Sequence, residues 1–228
     1  MLRWKPRTAC YIKIHYWASP VMELDFIFTI FILIMSVIIH EVSHGYVAQM
    51  FGDPTARLSG RLTLNPIKHL DPVGSFLVPI ATYFLGGFIF GWARPVPYNP
   101  YNFSNQRWGT ALVAAAGALS NLFIAVVFGL LIRFSGTLGI ASGAFVDIAS
   151  IIVFLNIVLA VFNMIPIPPL DGSKVLFSLL PHHLNYIQNF LERYALIMVF
   201  FLILFLWRFV LPLVFFLFSF ITGAGFSF

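Results

Sequence analysis

Charge is scarce in this chain. Only 9% of its 228 residues are Asp, Glu, Lys or Arg, against roughly 25% in an average soluble domain. With 60% hydrophobic residues, that shortage excludes an ordinary water-soluble globule. Cysteine is nearly absent too. The single Cys10 rules out an internal disulfide and any multi-cysteine metal site. No periodic repeat is visible, and no stretch reads as a separate soluble domain. The net charge of +5 does not form a nucleic-acid patch. Its basic residues are scattered through short polar connections, where in a membrane protein they report orientation. No nucleic-acid partner is expected.

What is present is a set of apolar blocks about 20 residues long, enough to cross a bilayer core. The chain therefore reads as an all-α polytopic membrane protein whose main solvent is lipid. Clear spans run from about Phe26 to Ala48, Thr110 to Ile132 and Phe145 to Ile165. A last apolar block, Ala195 to Ile221, is interrupted by Trp207-Arg208 and Pro212. The stretch 73–90 is broken by Pro79 and Gly86-Gly87. SKVLFSLLP reads as a short helix and HHLNYIQNFLERY as an amphipathic one at the interface. In the connection 52–72, alternation around Leu58, Leu62 and Leu64 predicts a short strand pair. The run GWARPVPYNPYNFSNQRW reads as loop or strand.

Residues 1–21 differ from the rest. They are basic (Arg3, Lys5, Arg7, Lys13), with two tryptophans, two tyrosines and the cysteine. They lack the apolar core and cleavage site of a signal peptide. Met22 opens MELD directly before the first span, so residues 1–21 are expected to be a start-site artefact, with a real basic tail as the alternative. Residues 22–228 then form a single membrane-embedded domain.

The first span contains HEVSH, His40 to His44. In a helix, residues i and i+4 share a face, so both imidazoles can grip one Zn²⁺. Glu41 is rotated about 100° from His40, within reach of a water activated by that metal. A chance match is the bland reading. Yet imidazole and carboxylate groups inside a membrane span are costly and functional by default. A catalytic zinc site needs three protein ligands and an open position. Acidic groups far from the histidines are few: Asp147, Asp171 and Glu192. Asp171 follows the proline-broken end NMIPIPPLDG, where unwound backbone at membrane depth must line a protein cavity. It could be a metal ligand or the N-cap of the next helix; the missing third ligand favours the metal. His69, His182 and His183 lie in connections and are expected to face water.

HEVSH in the first span, AGALSN in a middle one and FNMIPIPPLDG in a later one together resemble the site-2 protease family. GWARPVPYNP resembles its compact bacterial and archaeal branch, which lacks an appended PDZ or CBS domain. The likeness covers about residues 22–180. It implies an intramembrane zinc metalloprotease with one zinc per chain, bound by His40, His44 and Asp171, and Glu41 as general base. It also implies that Asn163 lies near the scissile carbonyl, and Asn121 matches the family's middle-span asparagine. The chain departs from the family in having Ala118 where proline is frequent; alanine equally permits close helix packing. Asn163 and Asn121 could each donate to an oxyanion or serve as interhelical glue; Asn163 is the stronger catalytic candidate.

If Met22 is the start, the acidic MELD segment and the basic connection Arg57–Lys68 place the N-terminus outside and that connection in the cytoplasm. The metal then sits in the cytoplasmic half of a prokaryotic plasma membrane. For Asp171 to meet the histidines, the third span must also run inward. Residues 73–90 are then re-entrant or partial, giving about four full crossings with small membrane-associated β-hairpin elements beside them. The expected substrate is a membrane protein or peptide, unwound locally and held extended along a strand edge near 57–65 or 94–103. A membrane metal-binding or substrate-binding protein without protease activity is the competing reading, although such a protein has no specific need of Glu41. Neither the substrate's identity nor the oligomeric state follows from the sequence.

Overall fold

The computed structural model describes residues 22–78, 80, 81, 84, 93–181, 184–201 and 207–223. The expectations for residues 1–21, for His182 and His183, and for most of 79–92 fall outside these. Long helices form where the apolar blocks lie: α1 (Met22–Met50), α2 (Gln106–Arg133) and α3 (Gly143–Asn163). Within α1, Phe26–Met50 is long and apolar enough to cross a membrane, as are α2 and α3 in full. Shorter helices follow: α4 (Asp171–Leu179), α5 (Asn185–Arg193), α6 (Ala195–Phe201) and α7 (Trp207–Thr222). Among the described residues there is no strand.

Helix ends follow local chemistry. Asn105 caps α2 by accepting from the Trp108 N–H, and Ser142 caps α3 by accepting from the Phe145 N–H. α3 stops where Pro166, Pro168 and Pro169 make continuation impossible. The helix α7 runs through Pro212 instead of breaking there. One lost backbone hydrogen bond is tolerated in a membrane helix when neighbours compensate.

The helix α2 is central, packing against α1, α3, α4 and α7. Its inner face is built of small residues, Ala111, Ala114, Gly117, Ala118, Ala125 and Gly129, all buried. Small side chains let helix backbones approach closely where lipid supplies no hydrophobic drive. Ala118, where the family that the sequence resembles often has proline, is buried in this close-packed face. Large apolar side chains point outward instead: Phe31 is 60% exposed, Phe123 69% and Phe216 65%. That inversion of the soluble pattern suits a hydrocarbon solvent. On the far side of the bundle, Ile132, Val153, Ile157, Val214 and Phe218 form a dry core shared by α2, α3 and α7.

Contacts fix the helix directions. His44 meets Val113 and His40 meets Gly117, so α1 and α2 are antiparallel. Ser36 bonds Asn156, while His40 and His44 meet Asp171 beyond the end of α3, so α3 runs parallel to α1. The connection between α1 and α2 closes on itself at its base. The Ser104 N–H donates to the Phe51 carbonyl at 3.0 Å.

The strand pair expected around Leu58, Leu62 and Leu64 is absent. Thr55–Leu58 forms one helical turn and Gly60 turns the chain with φ +62°. Leu58 is 81% exposed and Leu64 54% exposed, while Leu62 is half-buried against Gly45 of α1, so the three leucines do not line one face of a sheet. The run read as loop or strand is loop from residue 93 up to the start of α2, and its 93–103 part contains Pro95, Pro97 and Pro100. Prolines cannot donate to a ladder; residues 93–99 form no strand ladder, and Pro100–Asn102 make a single 3-10 turn.

Candidate metal centre

The helix α1 presents His40 and His44 on one face, as their spacing requires. Asp171 arrives 131 residues later in sequence from the first turn of α4. Its Oδ2 lies 3.1 Å from His40 Nε2 and 3.2 Å from His44 Nε2. All three side chains are buried, and their ligand atoms lie within 4.8 Å of one another. Zinc bonds of about 2.0–2.1 Å in a tetrahedron put ligand atoms roughly 3.3 Å apart. The separations and the two-imidazole, one-carboxylate donor set therefore fit a catalytic zinc site with one position open.

The surroundings orient each ligand. His44 Nδ1 lies 2.6 Å from the Val113 carbonyl, which fixes the Nδ1–H tautomer and leaves Nε2 for metal. The Nδ1 of His40 is buried with no hydrogen-bond partner among the described residues. That ring is held by packing instead. A β-carbon on Gly117 would come within 2.5 Å of its Cε1 and Nε2. The Lys174 ammonium bonds Asp171 Oδ1 at 3.0 Å, leaving Oδ2 for the histidine side. Asp171 is not an N-cap. Leu170 occupies that position, and no side chain caps α4. The tight approach depends on Gly172, where a β-carbon would lie 2.3 Å from the Met164 carbonyl oxygen.

Glu41 is half-buried beside the cluster, and its Oε2 accepts from the Val96 N–H at 2.9 Å. Asn121 is fully buried on the face of α2 that carries Gly117, and its Nδ2 has no partner among the described residues. Asn163 is half-buried, and its amide donates to the Leu159 carbonyl of its own helix at 2.9 Å. Neither asparagine has a hydrogen bond to the three-residue cluster. His69 corrects an expectation. It is 2% exposed, and its Nε2 pairs with the Thr63 carbonyl at 2.8 Å, so it faces protein and not water.

Sequence reasoning missed the Val113 carbonyl, Gly117, Lys174 and the Val96 N–H. Only Lys174 left a readable signal, as a cation three residues after a candidate ligand on one helix face. Backbone groups and the absence of a side chain carry no comparable mark.

Beside nearby connections, Asp53 is buried and accepts from Thr55, Asn99 and Asn102. Burial alone would raise its carboxyl. The hydrogen bonds from Thr55, Asn102 and Asn99 outweigh that and hold it below the usual range.

Comparison with known proteins agrees with this geometry. Residues 133–206 match the family model described as Peptidase family M50. Several relatives carry the name "Putative zinc metalloprotease". YwhC of Bacillus subtilis is 43% identical over 178 residues, 76% of this chain and 77% of the relative. Rip2 of Mycolicibacterium smegmatis is 32% identical over 174 residues, 74% of this chain and 63% of the relative. MJ0611 of Methanocaldococcus jannaschii is 32% identical over 157 residues, 67% of this chain and 71% of the relative. No solved structure matches.

Proposed function

We propose that this chain, which belongs to peptidase family M50, the site-2 proteases, hydrolyses peptide bonds in or beside membrane-spanning segments of membrane-protein substrates. In this reading His40, His44 and Asp171 hold one zinc ion, and Glu41 is the general base. The observation that carries it is the convergence of two helix-spaced histidines and a distant carboxylate at 3.1 and 3.2 Å in a buried site.

Zinc bound there supplies Lewis acidity, lowering the pKa of water towards about 7 and polarising a carbonyl. The chain's own groups do the rest. The Val96 N–H fixes Glu41 Oε2, leaving Oε1 to take the proton and later return one to the leaving amine. The Val113 carbonyl and the Gly117 surface hold the imidazoles. Asn163 and, as the weaker candidate, Asn121 would donate to the developing oxyanion. For Asn163 this requires its amide to leave the Leu159 carbonyl. The substrate must unwind before attack, because helical peptide bonds are shielded by their own hydrogen bonds. The extended run 93–99 is the element beside which it would be held extended.

The membrane arrangement follows from helix direction. With α1 and α3 running inward and α2 outward, residues 51–105 begin and end on one side. One complete crossing inside that stretch is incompatible with the Ser104–Phe51 bond. This supports reading the apolar stretch 73–90, half of which lies outside the described residues, as re-entrant or partial, and α7 as a fourth crossing. The metal site lies in the cytoplasmic half of a prokaryotic plasma membrane, and residues 22–228 form one catalytic domain.

The test is Glu41→Gln, with zinc content measured beside cleavage of a membrane-spanning reporter peptide. Cleavage should fall by about 10²–10⁴-fold while zinc is retained. Equal cleavage by wild type and variant ends this mechanism.

A further inference from the structure

We propose that Arg61 is a positioning residue for Glu41, acting through the peptide group between Pro95 and Val96. The inference rests on Glu41 being the general base. Arg61 is only 7% exposed, which is rare for an arginine and requires partners. Its Nη1 donates to the Lys68 carbonyl, and its Nη2 donates to the carbonyls of Arg94 at 2.6 Å and Pro95 at 3.2 Å. The next atom along the chain is the Val96 nitrogen, whose N–H donates to Glu41 Oε2 at 2.9 Å. The Pro95 carbonyl and the Val96 N–H belong to one planar amide. A cationic donor at its oxygen polarises the amide and strengthens donation from its nitrogen. Arg61 and Glu41 are thus joined through a single peptide unit, charge to charge, without touching.

The sequence prepares this link. Pro95 and Pro97 have no N–H, so Val96 supplies the one backbone donor of the tripeptide. Residues before proline are biased to extended backbone, which applies to both Arg94 and Val96. The run is pinned at both ends. The Arg94 N–H donates to the His69 carbonyl at 2.9 Å, and Asp53 accepts from the Asn99 N–H and Asn102 Nδ2, each at 2.7 Å. Val96 itself is buried against α1, where a β-carbon on Gly45 would lie 2.9 Å from Val96 Cγ1. Arg61 bonds neither the histidines nor Asp171, so its loss should spare metal binding.

Arg61→Lys keeps the charge but loses the planar fork that grips three carbonyls. Val96→Pro deletes the N–H in a segment already shaped by proline, together with the buried Val96 side chain, so Val96→Ala, which trims that side chain and keeps the N–H, is measured beside it as the packing control. Arg61→Lys and Val96→Pro should each lower kcat for a membrane-spanning reporter peptide about tenfold or more, with KM and zinc content unchanged. The double variant should be no slower than the slower single, because both changes cut one link. Amide hydrogen exchange at Val96 should quicken at least tenfold in Arg61→Lys, a readout that needs no substrate. Multiplicative losses in the double variant, wild-type kcat in Arg61→Lys, loss of zinc with activity, or unchanged exchange at Val96 would each overturn the proposal. Glu41→Gln measured in parallel separates the two readings. If it cleaves like wild type, the base assignment falls, while exchange at Val96 still reports whether Arg61 holds that amide.

Discussion

A β-carbon on Gly117 would sit 2.5 Å from two atoms of the His40 ring, closer than packed carbons come. The ring is buried and the opposing atoms belong to a helix backbone, so the imidazole has to turn. Gly117→Ala should therefore weaken zinc affinity by about 10–100-fold, the usual cost of disturbing a ligand's support, with the helices intact. Chelator competition measures the first and circular dichroism the second. Unchanged affinity would mean that the ring relaxes without leaving its ligating pose. The His40, His44 and Asp171 cluster was readable in advance because side-chain chemistry carried it. Two imidazoles at helical spacing lacked a third donor, and a carboxylate stood at a broken helix end. Gly117, the Val113 carbonyl and the Val96 N–H were not readable. A glycine says nothing of the ring that needs its space, and every residue but proline offers the same amide.

Among the elements, the long helices were legible from apolar block length, and their ends from Asn105, Ser142 and the proline run. The connections were not. Alternation at Leu58, Leu62 and Leu64 imitated a strand, although Leu58 sits on a helical turn, Leu62 packs against Gly45 of α1 and Leu64 is exposed beyond the turn at Gly60. What shapes those connections is buried polar anchoring. Asp53 gathers the Thr55 N–H and hydroxyl, the Asn99 N–H and the Asn102 amide at the end of α1. Asp53→Asn turns a donor towards these donors and should cost about 1.5–3 kcal/mol, as for hydrogen bonds to a charged group. The pH dependence has a definite sign. The folded carboxyl titrates below its unfolded value of about 3.9. Its contribution is present above that value and is lost as pH falls through the folded pKa. The gap in thermal stability between wild type and Asp53→Asn in detergent should be full at pH 7 and narrow below about pH 4. A gap that does not change with pH would show that the carboxylate charge is not what anchors the turn.

For the whole molecule, helix direction and charge give independent answers to one question. The contacts of His44 with Val113 and of Ser104 with Phe51 put the end of α1 and the start of α2 on one side. That side also receives the end of α3, because Asp171 closes on His40 and His44. Arg57, Arg61, Lys68, Arg94, Arg107 and Lys174 all belong to it. The other end of α2 carries Arg133, whose Nη1 donates to the Phe220 carbonyl at the end of α7. Positive charge marks the cytoplasmic side of membrane proteins, so the proposed orientation turns the basic side to the cytoplasm, with α7 running outward beside α2. Reporter fusions test this directly. A fusion after Ser104 should be cytoplasmic, and one after Gly139, between α2 and α3, should be external. If residues 73–90 crossed completely, the first would be external and the second cytoplasmic. His40 could then no longer share a membrane depth with Asp171 while Ser104 stays bonded to Phe51. A fusion after Met50 read beside the one after Ser104 therefore decides more than topology: opposite signals at the two positions would break the geometry that brings the third ligand to the histidines.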